Sequence, residues 1–261
     1  MPRPVFEGKA RVRHGGVKGS EAEVRNGTRA LTDSYTNRET PPSDRLAERL
    51  RGFGPVGILS TLVILLVGNY PIPPMGALLA LVWARRSRTP WHEIGFIRPT
   101  SWTRDVAVGL AIGIAFKLLM KAIVMPLFGA PPINPAYHYL AGNTAALPGA
   151  VYLMIAGGGF GEETVYRGFL FERLGKLFGS SAAAKTAMVL VSAGLFALAH
   201  YPEQGLPGVE QASITGLVFG TIYGVTGRIW IPMVAHAAFD LTALALIYWN
   251  VESQVAHLIF K

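Results

Sequence analysis

The chain contains no cysteine, which excludes a disulfide framework, a thiolate metal site and a cysteine nucleophile and leaves the redox compartment open. Charge is scarce as well. Only 15% of the 261 residues are Asp, Glu, Lys or Arg, against 51% hydrophobic. Residues 53–84 carry no charge, and 106–127 carry only Lys117 and Lys121. Stretches of this kind exclude an ordinary soluble domain and indicate a polytopic membrane protein. The helix signature His-Glu-x-x-His is absent, so a metal site would have to be assembled from separate segments. Any catalysis must use carboxylate, imidazole or hydroxyl groups.

What is present divides the chain in two. Residues 1–52 are rich in Arg, Glu, Gly, Thr and Ser, with no sustained apolar period and no apolar core of the kind a cleaved signal peptide needs. They read as a disordered polar cytoplasmic tail. Residues 53–261 read as a transmembrane helical domain. A span needs about 20 residues to cross hydrocarbon, and apolar stretches lie near 53–69, 72–84, 106–128, 147–175, 183–200, 211–226 and 229–249. Pro71, Pro73 and Pro74 separate the first two, and Pro126, Pro131, Pro132 and Pro135 end the third. The second is short enough to be re-entrant. The expected fold is therefore all-α, a polytopic transmembrane helical bundle of about seven spans, between six and eight.

Basic residues in the links set the orientation. The tail carries many, and the link 85–104 has Arg85, Arg86, Arg88, Arg98 and Arg104, whereas 129–146 has no Lys or Arg. The tail and the 85–104 link are thus expected on the cytoplasmic side, together with Arg173, Lys176, Lys185 and Arg228; Glu203 and Glu210 fall in an outer link. Lys117 and Lys121 break the pattern inside the third span, where they either snorkel or neutralise buried carboxylates.

Three polar clusters interrupt the apolar spans. Glu162 and Glu163 precede Arg167; Phe196 and His200 are four apart, with Tyr201 and Pro202 ending that helix; His236 and Asp240 are also four apart. Spacing of four puts both members of a pair on one helical face. A single histidine near a helix end is an ordinary structural hydrogen-bonding group. Together the clusters hold three carboxylates, one guanidinium and two imidazoles, and at membrane depth each is costly unless it meets another. Such a set suits water activation: a buried carboxylate beside a second one acts as general base, and histidine positions the water or protonates the leaving group. The same groups alternatively hold a divalent metal, with Asp240 orienting His236 from behind.

In order and spacing, Glu162-Glu163-x-x-x-Arg167, Phe196-x-x-x-His200 and His236-x-x-x-Asp240 resemble the motifs of the CAAX protease and bacteriocin-processing (CPBP) family of intramembrane endopeptidases, also called abortive-infection (Abi) proteins. Gly95-Phe-Ile-Arg-Pro and the run Gly216, Gly220, Gly224 leading through Thr226-Gly-Arg-Ile-Trp230 are similar too, so the resemblance covers about 95–249. It implies that Glu162 activates water with His200 as partner, that Glu163 and Arg167 support helix and substrate groove, that Phe196 belongs to this supporting set, and that His236 completes the site. In the prenyl-protein members the last motif position is asparagine, taken to donate to the oxyanion. Asp240 stands there in this chain, and an ionised aspartate donates no hydrogen bond. The family leaves metal-free and metal-assisted mechanisms open, with Glu162, His200 and His236 as ligands and zinc as the ion in the second case.

The leading reading is an intramembrane endopeptidase acting on a membrane-anchored protein or peptide: CAAX-type, leader-peptide or C-terminal sorting-signal processing. The alternatives are a non-catalytic peptide-binding immunity or scaffold protein and a small proton-coupled carrier, against which the lack of an inverted repeat counts. No nucleic-acid partner is expected, and the location is a multi-pass protein of the cell membrane. Two points of geometry accompany this. The Gly216, Gly220 and Gly224 stripe suits close helix packing. At about 1.5 Å per residue, Glu162 and His200 lie roughly 25 and 30 Å from the Gly179-Ser180 turn, but His236 lies only about 12 Å from the Gly227-Arg228 turn, so that turn must sit deeper.

Overall fold

A computed structural model describes residues 42–68 and 74–260. Residues 1–41 of the expected tail, and Pro71 and Pro73 of the expected break, lie outside the described residues. The chain divides into a unit Met1–Arg45 and a helical body Leu46–Lys261. Among the described residues there is helix and no strand. In chain order the helices are α1 (Pro42–Arg51), α2 (Pro55–Gly68), α3 (Met75–Arg86), α4 (Trp102–Leu127), α5 (Thr144–Phe178), α6 (Ala182–Ala199), α7 (Tyr201–Thr226), α8 (Trp230–Tyr248) and the short α9 (Glu252–Ala256).

All seven expected apolar stretches are helical, but fewer qualify as spans. α4, α5, α6 and α8 are each long and apolar enough to cross a membrane, and α1 with α2, bent by 63°, makes a fifth candidate. α3 has 12 residues, about 18 Å of helix, short of the hydrocarbon thickness. α7 is interrupted at Gly205, whose φ of 62° and ψ of −154° are non-helical, with Pro207 just beyond. Residues 201–210, expected as a link, belong to this helix. Residues 42–51 of the expected tail form α1, in which Ala47 is buried and Leu50 packs on the core, while the Leu50 carbonyl accepts from Trp83 Nε1 at 3.2 Å. Arg173 reaches across to donate to the carbonyls of Arg51 and Gly52 at 2.6 and 2.7 Å, satisfying the open end of α1.

Large apolar side chains point outward on the spans, among them Leu59, Leu62, Leu66, Leu190 and Leu198. A soluble domain of this size does not expose such rows; lipid is the solvent that accepts them. Inside, small residues bring helices together. A Cβ on Gly113 would overlap the Ala235 carbonyl, and one on Gly109 would lie 2.7 Å from Val234, so α4 packs directly on α8. The expected glycine stripe does pack α7 on α6: a Cβ on Gly216 would stand 3.0 Å from Ala193, while Gly220 and Gly224 meet Val189 at ordinary contact distance.

The depth mismatch of the Gly227 turn resolves in the 91–97 link. Its short 3₁₀ turn, Trp91–Ile94, dips into the bundle, where Ile94 is buried and its carbonyl stands beside Gly168. The Ile229 amide donates to Gly95 at 3.0 Å, and Trp230 Nε1 donates to Ile97 at 2.9 Å. Gly95 has φ of 82°, and a Cβ there would collide with the Tyr223 ring at 2.5 Å. The start of α8 is thereby held level with Gly168 of α5. Six residues separate Gly168 from Glu162 and seven separate Ile229 from His236, about 9 and 10 Å of helix, which brings the two side chains to a common depth.

Candidate functional site

The acidic pair sits on a distorted helix. Within α5, Leu153–Glu162 and Thr164–Leu170 are π-helical, with wide turns; such segments recur at functional sites. Gly157, Gly158, Gly159 and Gly161 are all buried there, and their lack of side chains lets α8 approach. A Cβ on Gly159 would stand 2.8 Å from Ala237, and one on Gly158 would stand 2.5 Å from Asp240 Oδ2 and 3.4 Å from His236 Nε2. The glycines make the room in which the α8 groups meet the glutamates.

Glu163 and Arg167 are completely buried and form an ion pair, Arg167 donating to Glu163 Oε1 at 2.8 Å. The same oxygen lies 2.7 Å from His236 Nδ1. A carboxylate that accepts a hydrogen bond from a guanidinium is ionised and only an acceptor, so His236 donates through Nδ1 and turns Nε2 forward. Nε2 stands 3.6 Å from Glu162 Oε2 and 3.5 Å from Asp240 Oδ2. The sequence suggested Asp240 as the group orienting His236; the structure gives that position to Glu163 and sets Asp240 on the other face of the ring. Glu162 and Asp240 are more open, with side chains 30% and 28% exposed.

His200 caps the C-terminus of α6, and its Nδ1 donates to the Phe196 carbonyl at 2.8 Å. Its Nε2 is left for another partner. Phe196 is the hub between clusters: its ring packs 4.6 Å from His200 and 5.9 Å from His236, centroid to centroid, with the Arg167 guanidinium 4.7 Å over its face. This contact stacks the buried cation as well as filling space.

Glu162, Phe196, His200, His236 and Asp240 line one cavity of about 560 Å³, a volume suited to a short peptide. Glu163 and Arg167 stand behind its wall. The far wall was less apparent from the sequence. It includes Tyr137 from the 129–146 link, Glu203, Gln204 and Gln211 from α7, Glu252 from α9, and Lys117 and Lys121 from α4. Burial first, and then the Glu203 carboxylate, push the Tyr137 hydroxyl well above its usual value, so it remains a donor, 3.5 Å from Glu203 Oε2, while accepting from Gln204 Nε2 at 3.2 Å. Lys121 belongs to a π-helical turn, Met120–Val124, and pairs with Glu252 at 2.9 Å. Only the two lysines carried a signal in the sequence, as charges inside an apolar span; Tyr137, Glu203, Gln204, Gln211 and Glu252 were ordinary polar residues at or beyond the ends of such spans.

His236 Nδ1 donates to Glu163 and leaves Nε2 free, as in a metal-bound imidazole, but among the described residues no group of three or more His, Asp or Glu side chains is arranged to hold a metal ion. The set Glu162, His200 and His236 therefore does not fit a zinc ion as it stands.

Comparison with known proteins gives one finding. Residues 144–242 match the family model of type II CAAX prenyl endopeptidase Rce1-like proteins. The matched segment contains all three motifs, from Glu162 to Asp240. No curated protein and no solved structure matches the chain.

Proposed function

With its segment 144–242 in the Rce1-like, CAAX protease family and its apolar helices marking a multi-pass membrane protein, we propose that this chain is an intramembrane endopeptidase that hydrolyses a peptide bond in a membrane-anchored protein or peptide. The observation that carries the reading is the double use of His236, held from behind by Glu163 at 2.7 Å and facing Glu162 at 3.6 Å across the cavity wall. Glu162 takes a proton from water, and the hydroxide oxygen bonds to the scissile carbonyl carbon. Electrons move onto the carbonyl oxygen. When the intermediate collapses, the C–N bond breaks and the leaving nitrogen takes the proton that Glu162 removed from water, with His200 Nε2 placed on the same cavity to relay it. Glu163 and Arg167 position His236 and do not touch substrate. Asp240 shares the Nε2 side of His236 with Glu162.

In this reading the seven apolar helices are embedded in the cell membrane, with the N-terminal region and the 85–104 link cytoplasmic, and no metal is required. The substrate class is a peptide near its membrane anchor: a lipidated C-terminus, a leader or a C-terminal sorting helix. The test is proteolysis by purified protein in detergent, with a prenylated C-terminal peptide and a panel of membrane peptides. Cleavage that disappears in Glu162→Ala and His200→Ala is expected. No cleavage of any peptide, or cleavage unchanged in both variants, overturns the proposal and favours a peptide-binding scaffold.

A further inference from the structure

Lys117 lines the same cavity as Glu162, His200 and Asp240, yet it lies outside the matched segment 144–242. The residue is only 7% exposed. Its ammonium donates to Gln211 Oε1 at 2.9 Å and lies 4.6 Å over the Phe239 ring. Both partners are uncharged. The charged groups that act on it at longer range are Asp240, Lys121 and Glu252. Lys121, one turn further along, has Glu252 as its own counter-ion; among the described residues no carboxylate stands within ion-pair distance of Lys117. An ammonium has three donors, and only one is taken here. A cation held at this depth without an ionic partner in contact is costly, and an anionic group on the cavity's occupant would offset that cost.

The rest of the lining narrows the choice of anion. Glu162, Glu203, Asp240 and Glu252 already make this cavity acidic, which disfavours a phosphate carrying two charges and suits one carboxylate opposite one unpaired ammonium. On the reading of this chain as a peptidase, we propose that Lys117 is a specificity residue that binds the free C-terminal carboxylate of the substrate, with Gln211 steering the ammonium toward it. The scissile bond is then counted from the substrate's C-terminus, because the terminus is fixed at Lys117 while the bond to be cut lies at Glu162.

The experiment compares peptides of one sequence ending in a free carboxylate or a carboxamide. In the wild type the acid is expected to be cleaved with kcat/KM about ten-fold or more above the amide, through KM. In Lys117→Met the acid is expected to fall to the amide's level. Equal cleavage of the two by the wild type overturns the proposal, as does a Lys117→Met variant that keeps the preference while losing both activities together. An amide peptide bearing an added Asp or Glu near its end distinguishes a side-chain carboxylate; if it matches the free acid, the terminal assignment fails. Binding of both labelled peptides to Glu162→Gln decides the matter without turnover. No cleavage of any peptide with an acid preference retained in binding sinks the peptidase reading and leaves the carboxylate site standing. No preference in binding sinks the site. Lys117→Gln serves if Lys117→Met does not fold.

Discussion

His236 is joined to Glu163 by a 2.7 Å hydrogen bond whose acceptor oxygen also receives Arg167 at 2.8 Å. One carboxylate thus neutralises a guanidinium and fixes an imidazole, all three being buried. Removing its charge strands Arg167. Glu163→Gln is expected to destabilise the protein by about 3–5 kcal/mol, the usual result of breaking a buried pair from one side. The double variant Glu163→Gln/Arg167→Met should recover part of that loss, since no unpaired cation remains. Denaturant unfolding in detergent measures both, and a single variant as stable as the wild type would contradict the buried-pair account.

Glu162 is expected to behave oppositely to its neighbour. Its side chain is 30% exposed to the cavity and meets His236 only at 3.6 Å, so Glu162→Gln should leave unfolding nearly unchanged. Cleavage should fall by about 10²–10⁴-fold, the range for loss of a general base. Measured on one preparation, kinetics and unfolding separate the adjacent glutamates; equal stability losses in the two variants would deny them distinct roles.

Much of this division was legible from spacing. Four-residue intervals paired Glu163 with Arg167 and placed Phe196 with His200 and His236 with Asp240, and each pair is in contact. The helical character of every apolar stretch was legible too, because backbone in lipid has few other solutions. The bond from His236 to Glu163 was not, since it joins helices 73 residues apart and depends on the π-helical turns of α5 and the buried glycines facing α8. Four or five of the seven expected stretches qualify as spans by length and apolarity, because apolarity in the sequence says nothing about the break at Gly205 or the 12-residue length of α3. Tyr137, Gln211 and Glu252 lacked any local signal, being ordinary polar residues until the fold turns them toward one cavity.

Gly158 gives a packing test of the site. A methyl group there would lie 2.5 Å from Asp240 Oδ2, closer than contact allows, and 3.4 Å from His236 Nε2, an ordinary contact; overpacking of this kind typically costs about 1–3 kcal/mol. Gly158→Ala should lower cleavage by about ten-fold or more through displacement of Asp240 from its place beside His236. Because the clash is with Asp240 itself, Gly158→Ala and Asp240→Ala should be non-additive, the double variant no worse than the poorer single one. Strict additivity in kcat/KM would mean that the methyl group acts elsewhere.

Chelation separates the two chemistries the motifs allow. A metal held by Glu162, His200 and His236 needs an imidazole nitrogen on each histidine free to coordinate. His236 has Nδ1 bonded to Glu163, and His200 has Nδ1 bonded to the Phe196 carbonyl, leaving their Nε2 atoms. These do not converge with a third ligand on one point among the described residues. Cleavage by the purified protein is therefore expected to survive dialysis against a strong chelator with kcat/KM unchanged within about two-fold, because every group in the proposed proton path belongs to the polypeptide. Activity lost on chelation and restored by zinc would require the Nε2 atoms to swing together on binding the ion, and would replace the metal-free account with a metal-activated water.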